Sequence, residues 1–421
     1  MTLWLLGTHL DRTADYLDDH DRVLLVESTA FADRRPYHPH KLTLLFAAMR
    51  QFRDDLRDRG LAVDYRQSRT FGDALDNYFE EHPGDDLTMP RPAAHGSEDR
   101  LQALARERGG SLSFVANPTF ILTPAEFDEW ANQRDTTDPD SYQLERFYRW
   151  LRRETGVLMD GNTPAGGEWN YDEQNRETPP ADWEAPSPPV FGPDETTRRV
   201  EEWVTSTFET FVDGDDAAAF RWPVTRAQAL TALEQFVEGR FAEFGPYQDA
   251  LVDGEWATTH SLLSAAVNLG LLRPMELVER AERAYREGNA PINSVEGFVR
   301  QILGWREFMR HVYRRSMPGM ADANQLDQTE SLPPAYWTGD TDMHCLSEAV
   351  GHVNEHGYAH HIERLMVLSN FALVYGADPG ELNEWFHQGF VDAFHWVTTP
   401  NVVGMGSFGT DVLSSDRKSV V

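Results

Sequence analysis

The hydrophobic residues of this chain change their period once along its length, and that change limits the folds open to it. Through the first 130 or so residues, short apolar runs of strand length alternate with helical repeats. Residues 3–6, 23–26, 61–65 and 112–115 are runs of the first kind. Between His40 and Arg59, Leu42, Leu45, Phe46, Met49, Phe52 and Leu56 recur at helical spacing. Strands alternating with helices predict an α/β domain built on a doubly wound parallel sheet. From about Gly156 to Pro193, glycines and prolines punctuate a polar stretch, among them Gly166, Gly167, Pro179, Pro180, Pro188 and Pro189. That stretch predicts a long, mostly irregular connector. From Asp194 onward helical periodicity dominates, with breaks at Pro223, Pro274, Pro318, Pro333 and Pro379. The reading is an α/β domain over 1–130, a connector over 131–193 and an all-α domain over 194–421.

Composition narrows this further. With 421 residues, 40% of them hydrophobic, and 12 Trp, the chain has enough apolar mass for two or three sizeable cores. No apolar run reaches transmembrane length, and the apolar start at Met1 lacks a basic lead and a cleavage site, so it reads as a first strand. A single cysteine, Cys345, excludes an internal disulfide and predicts a cytoplasmic protein. Lys+Arg is 38 against Asp+Glu 69, a net charge of −31. Such acidity ordinarily argues against nucleic acid as a partner. Here the charge is dispersed and lysine is scarce, which predicts a protein of very salty cytoplasm; an acidic surface with a specific partner is the alternative. In strong salt the screening length falls to roughly 3 Å, so an acidic shell repels DNA only weakly and short-range Arg contacts can still hold it.

Generic motifs come to little. Gly404-Met-Gly406-Ser-Phe-Gly409 fits a dinucleotide fingerprint but has no long helix to open. His38-Pro-His40 and His360-His361 lack a spaced set of further ligands, and Asp213-Gly-Asp-Asp216 lacks the rest of a calcium loop. The helical half carries more. The segment from Glu296 to Phe308 is amphipathic and gathers Arg300, Gln301, Trp305, Arg306 and Glu307. Read alone, it is a salt-bridged surface helix. Tyr247 precedes His260-Ser261-Leu262-Leu263-Ser264, where a Ser and free N–H groups at a helix start would make an anion site; alone, this is an ordinary Ser cap.

Taken together, these segments resemble the photolyase/cryptochrome family. Trp305-Arg-Glu-Phe308 after Arg300-Gln301 is similar to the family's flavin-pocket helix, and the stretch from Tyr247 to Ser264 to the segment that holds the FAD phosphates. Tyr336-Trp-Thr-Gly339 with Met343-His-Cys345, the segment from Tyr358 to Met366, Asp392-Ala-Phe-His-Trp396, and Trp169-Asn-Tyr-Asp-Glu-Gln-Asn-Arg176 resemble the bacterial iron–sulfur (6-4) photolyase branch. The resemblance runs from Leu3 to about Phe408. It implies an α/β antenna domain, a helical FAD domain, and light-driven repair of a pyrimidine lesion flipped out of damaged DNA. It implies FAD contacts from Tyr247, His260, Ser261, Leu262, Leu263, Ser264, Gln301, Trp305, Arg306 and Asp392. It makes His361, with His360 beside it, the expected proton donor, because a histidine titrates near neutrality. Arg176 is expected on the lesion strand, and Trp337 and Trp385 in flavin photoreduction. A monomer is expected.

Two departures from the branch stand out. Relatives hold a [4Fe–4S] cluster through four cysteines, and Cys345 sits where the first is expected. The other three would fall in a C-terminal stretch that this chain lacks, so no cluster is expected; one thiolate cannot hold one. The tail from Ser415 to Val421 looks unrelated, which reads as a truncated or frame-shifted product. Phe386 stands where relatives often place a redox-active Tyr. The branch's ribityl-lumazine antenna is implied too, but Phe31 and Arg34 replace the usual carboxylate and tyrosine. A light sensor without repair, or a flavoprotein remnant, are the other readings.

Overall fold

The structure is a computed structural model that describes residues 1–133, 143–214 and 216–413. The tail from Ser415 and position 215 of the Asp213–Asp216 turn lie outside the described residues. Two compact units emerge, each assembled from three stretches of chain.

The first unit takes Met1–Phe120, Val190–Ala232 and Leu263–Arg273. Its centre is a five-stranded parallel sheet of β1 (Thr2–Leu5), β2 (Arg22–Ser28), β3 (Ala62–Ser68), β4 (Asp86–Pro90) and β5 (Ser111–Val115), in the order β3-β2-β1-β4-β5. Helices Pro39–Asp58, Phe71–Glu81 and Ser97–Glu107 make the crossovers. One face buries Trp4, Leu24, Val26, Leu75, Tyr78, Leu87 and Met89 in a single core. Thr70 opens the second of these helices with a capping box to Asp73. His38-Pro-His40 turns out to be a helix start: Pro39 takes the first position, His38 Nδ1 accepts the His40 N–H at 3.1 Å, and His40 Nε2 bonds the Ala218 carbonyl at 2.8 Å.

The second unit takes Ile121–Pro189, Leu233–Leu262 and the chain from Pro274 onward. Among its described residues the only strands are a two-residue β-pair, Met159–Asp160 with Thr163–Pro164, and the regular structure is otherwise helical. Between Gly156 and Pro193 only that pair and two 3-10 turns are regular, as the glycine and proline content requires. Pro274 and Pro379 begin helices instead of breaking them, since a first-turn N–H has no intrahelical partner to lose. Aromatic rings fill the interior: Phe236, Phe241 and Phe298 meet at centroid distances of 5.0–5.4 Å.

Candidate functional site

Three π-helical stretches shape one region of the second unit: Arg300–Arg306, Glu363–Ser369 and Pro400–Gly406. Such stretches leave the ordinary bonding ladder and recur at functional sites. They are joined to one another. Trp305 Nε1 donates to Asn401 Oδ1 at 2.9 Å, and a Cβ on Gly406 would lie 2.9 Å from that of Ser369. Arg306 lies over the Trp396 ring at 4.9 Å, and burial lowers its pKa to about 10.

Tyr247 belongs to a helix that packs tightly on the one before the first π stretch. A Cβ on Gly245 would come within 2.7 Å of the Ser294 backbone nitrogen, so only glycine permits this approach. Ser294 Oγ accepts the Gly245 N–H at 2.9 Å and donates to the Ala242 carbonyl at 3.0 Å. Tyr247 itself is half-buried, its ring 5.3 Å from that of Trp183.

The segment that follows is strained. Thr258 and Leu262 hold left-handed backbone conformations at φ 42° and 59°, costly for residues with a Cβ. The positive φ at Leu262 also delays the next helix, which begins at Ser264 and not at Ser261. Leu263 and Ser264 fall in the first unit, and His260, Ser261 and Leu262 in the second. Arg240, buried, holds the loop by donating to the carbonyls of His260 at 2.5 Å and Ser261 at 3.4 Å.

Around His260 the polar side chains converge. Its ring stacks on that of His360, centroids 4.9 Å apart and 14° from parallel. Its Nε2 bonds the Gln248 carbonyl at 3.0 Å, and burial, then the proximity of His361, lowers its pKa to about 3. His361 keeps exposed surface, yet protein crowds its ring. Those surroundings, and then Arg364, lower it to about 4. Arg364 grips Asp392 with both terminal nitrogens at 3.1 Å and lies over the rings of Tyr358 and Phe390.

Other expected residues lie apart. Gln301 is exposed and bonds the Gly297 carbonyl of its own helix. Arg176 is exposed, within electrostatic reach of Asp172 and Asp249. Arg300 is paired to Asp172 and Glu296, and Glu307, fully buried, accepts the Leu122 N–H at 3.2 Å. Trp385 is fully buried and donates to the Tyr336 carbonyl at 2.8 Å, while Trp337 is 43% exposed. Cys345 is exposed near the start of helix His344–His356. Arg240, His352, Glu363 and Arg364 lie around the histidines and carried no role in the sequence reading; a Glu and an Arg two and three residues after His361 were the available signal.

The fold is that of the photolyases and cryptochromes. It matches a bacterial class III photolyase from Agrobacterium tumefaciens with a TM-score of 0.66 and 16% identity, over 96% of this chain and 78% of that one. It matches a Synechocystis cryptochrome with a TM-score of 0.67 and 12% identity, over 99% and 83%. In sequence, residues 3–218 match the family described as deoxyribodipyrimidine photo-lyase-related protein. The chain is also 38% identical over 415 residues to a (6-4) photolyase of Agrobacterium fabrum, covering 96% of this chain and 80% of the relative. It belongs to the deoxyribodipyrimidine photo-lyase-related family.

Proposed function

We propose that this protein is a light-driven DNA repair enzyme of (6-4) photolyase type. The observation that carries the reading is the cluster of His260, His360 and His361, with the Arg364–Asp392 pair beside it. The residues fit FAD in three respects. His360 Nδ1 is buried with no hydrogen-bond partner, the approach loop is held in strain at Thr258 and Leu262, and Arg364 presents a fixed cation. Tyr247, His260, Ser261, Leu262, Trp305, Arg306 and Asp392 would hold it. FAD supplies, when bound, the photoexcited electron that opens the lesion.

The protein's own part is to receive an extruded lesion and to move a proton. At neutral pH His361 is uncharged, because burial and Arg364 oppose its protonation. An anionic substrate beside His361 reverses that balance and raises its pKa, so the proton is loaded when DNA is bound. His361 then donates to the lesion oxygen. Arg176, exposed, is available to a DNA phosphate.

The decisive experiment compares parent and His361→Ala in high salt. The variant should keep its FAD and its affinity for lesion DNA but lose repair by about 10²-fold or more. Equal repair would remove His361 from the mechanism. A parent that binds FAD and repairs nothing would instead be a light sensor or a remnant. With Cys345 the chain's one cysteine, we expect no [4Fe–4S] cluster; stoichiometric iron and sulfide would overturn that. A ribityl-lumazine antenna would show as a second chromophore band. We further expect a cytoplasmic monomer; among the described residues no helix is long and apolar enough to cross a membrane.

A further inference from the structure

Glu363 is the most enclosed carboxylate near the histidine pair, at 5% exposure. Its Oε1 accepts from His352 Nδ1 at 2.7 Å, and its Oε2 accepts the backbone N–H of His360 at 3.1 Å. The same Oε2 lies 3.7 Å from His360 Nε2. One carboxylate thus touches helix His344–His356 through His352 and the start of the histidine segment through His360. A buried carboxylate costs several kcal/mol unless it is paired and hydrogen-bonded. Here it has the His352 ring N–H on one oxygen and a backbone N–H on the other.

The groups facing this carboxylate divide in two. Burial opposes a charge on His352, but the Glu363 hydrogen bond and charge outweigh it, helped by Glu348 and Glu355, and its pKa is raised. His360 is pushed well below the ordinary value by burial and by His260, His352, His361 and Arg364 around it. His260 spends Nε2 on the Gln248 carbonyl, so it cannot supply a proton from that atom to its stacked neighbour. The side of the His360 ring near a carboxylate is Nε2, and Nδ1 has no hydrogen-bond partner. A carboxylate that near favours a proton on the nitrogen facing it.

We infer that Glu363, paired with His352, is a positioning residue for the histidine pair: it fixes the backbone where the segment begins and holds His360 as the neutral Nε2–H tautomer. The chemical consequence is a division of labour. His360 stays an acceptor through Nδ1, the charge stays on His352 on the far side of Glu363, and His361 alone is left to load and donate a proton. This rests on the repair reading above, but its first test does not need repair.

The test is histidine ring-nitrogen NMR on the full-length, FAD-loaded protein in high salt, across pH 5 to 9, followed by repair rates over the same range. In the parent, His360 should show one neutral tautomer throughout, and His352 should titrate above the ordinary histidine value. Glu363→Gln should scramble the His360 tautomer, lower the His352 pKa and cut repair by about tenfold or more, with FAD content retained. His352→Asn offers Glu363 an N–H that does not titrate. It should keep the His360 tautomer and abolish the alkaline fall in repair that the parent shows as His352 deprotonates. An unchanged His360 tautomer in Glu363→Gln, or an unchanged alkaline limb in His352→Asn, would overturn the inference. If the parent repairs nothing, the repair reading fails alone, and the tautomer still decides the role of Glu363.

Discussion

Arg364 and Asp392 form a two-pronged pair, each terminal guanidinium nitrogen 3.1 Å from a different carboxylate oxygen. The third donor, Nε, goes to the Ala359 carbonyl at 2.6 Å, and the flat cation lies 4.6 Å from the Tyr358 ring and 4.5 Å from that of Phe390. The side chain joins the segment after His361 to the loop ahead of helix His395–Thr399. Lysine could not replace it, because an ammonium has neither the fork nor the stacking face.

Arg364→Ala should therefore destabilise the second unit by about 3–5 kcal/mol, since it strands a carboxylate that is only 6% exposed. Flavin retention should fall with it. Asp392→Asn, which keeps an acceptor for Arg364, should cost less. Urea unfolding of the two variants and their double combination gives the coupling. Additive effects would mean that the pair is not a unit.

The acid limb of stability should be steep, and its sign follows from the histidines. Free in the unfolded chain, His260 and His361 take up protons near pH 6.5; folded, they resist to about 3 and about 4. Between those values the unfolded chain binds more protons, so stability is full above pH 6.5 and is lost as pH falls toward 4. His361 keeps exposed surface and solvent damps its share, so His260 should dominate. His260→Gln should flatten the loss between pH 6.5 and 4 by on the order of a few kcal/mol. Denaturant midpoints at pH 7, 6 and 5 measure it, and parallel curves for parent and variant would contradict the assignment.

Much of the fold was legible because periodicity and turn residues write it directly. Four of the five strands and the helix Pro39–Asp58 follow from apolar spacing. The strand missed is β4, Asp-Leu-Thr-Met-Pro, whose apolar residues are interrupted by Thr88 and flanked by Asp86 and Pro90, so that no apolar run registers. The site was legible only in outline. The stacking of His260 on His360 and the Arg364–Asp392 pair are not written in the spacing, and charges that look solvated in sequence are partly or wholly buried in space. Glu307, Glu363 and Arg364 are cases in point: nothing in a string of letters says that a carboxylate will close a loop at Leu122 or that an Arg will lie on two rings. The delayed helix start at Ser264 was invisible for a similar reason, since the left-handed turn at Leu262 is imposed by packing and not by a glycine.

The acidic surface makes a prediction of its own. With a net charge of −31, like-charge repulsion is felt over about 30 Å at 0.01 M salt and about 3 Å at 1 M. If the charge is an adaptation to salt, thermal stability should climb steadily from dilute buffer to molar KCl. Melting curves at fixed pH across that range are the measurement. A flat response would favour the alternative, an acidic face reserved for a specific partner.

An electron route to a bound flavin can be tested at Trp385. Its ring is 5.1 Å from Tyr336, 5.2 Å from Phe386 and 5.8 Å from Phe390, and Phe390 underlies Arg364. The two phenylalanines are hard to oxidise. Tyr336 is no easier to use, because its hydroxyl donates to the Leu368 carbonyl and burial raises its pKa, leaving no base to take the proton. If Trp385 and Trp337 carry the electron, then Trp337, adjacent to Tyr336 in the chain and 43% exposed, would be the surface end of the path. Trp385→Phe should slow light-driven flavin reduction by about tenfold or more, equivalent to ~1.4 kcal/mol of barrier. Trp337→Phe should slow it less, because solvent reductant can still reach the neighbouring surface. Tyr336→Phe should change it little, since the ring and the backbone carbonyl that holds Trp385 both remain. The rate of flavin bleaching under blue light with a thiol reductant, normalised to flavin content, reads all three. A Tyr336→Phe defect as large as that of Trp385→Phe would move the electron path onto tyrosine and overturn the assignment. Phe386→Tyr supplies the converse, because a tyrosine beside Trp385 adds an oxidisable ring and should speed the reduction.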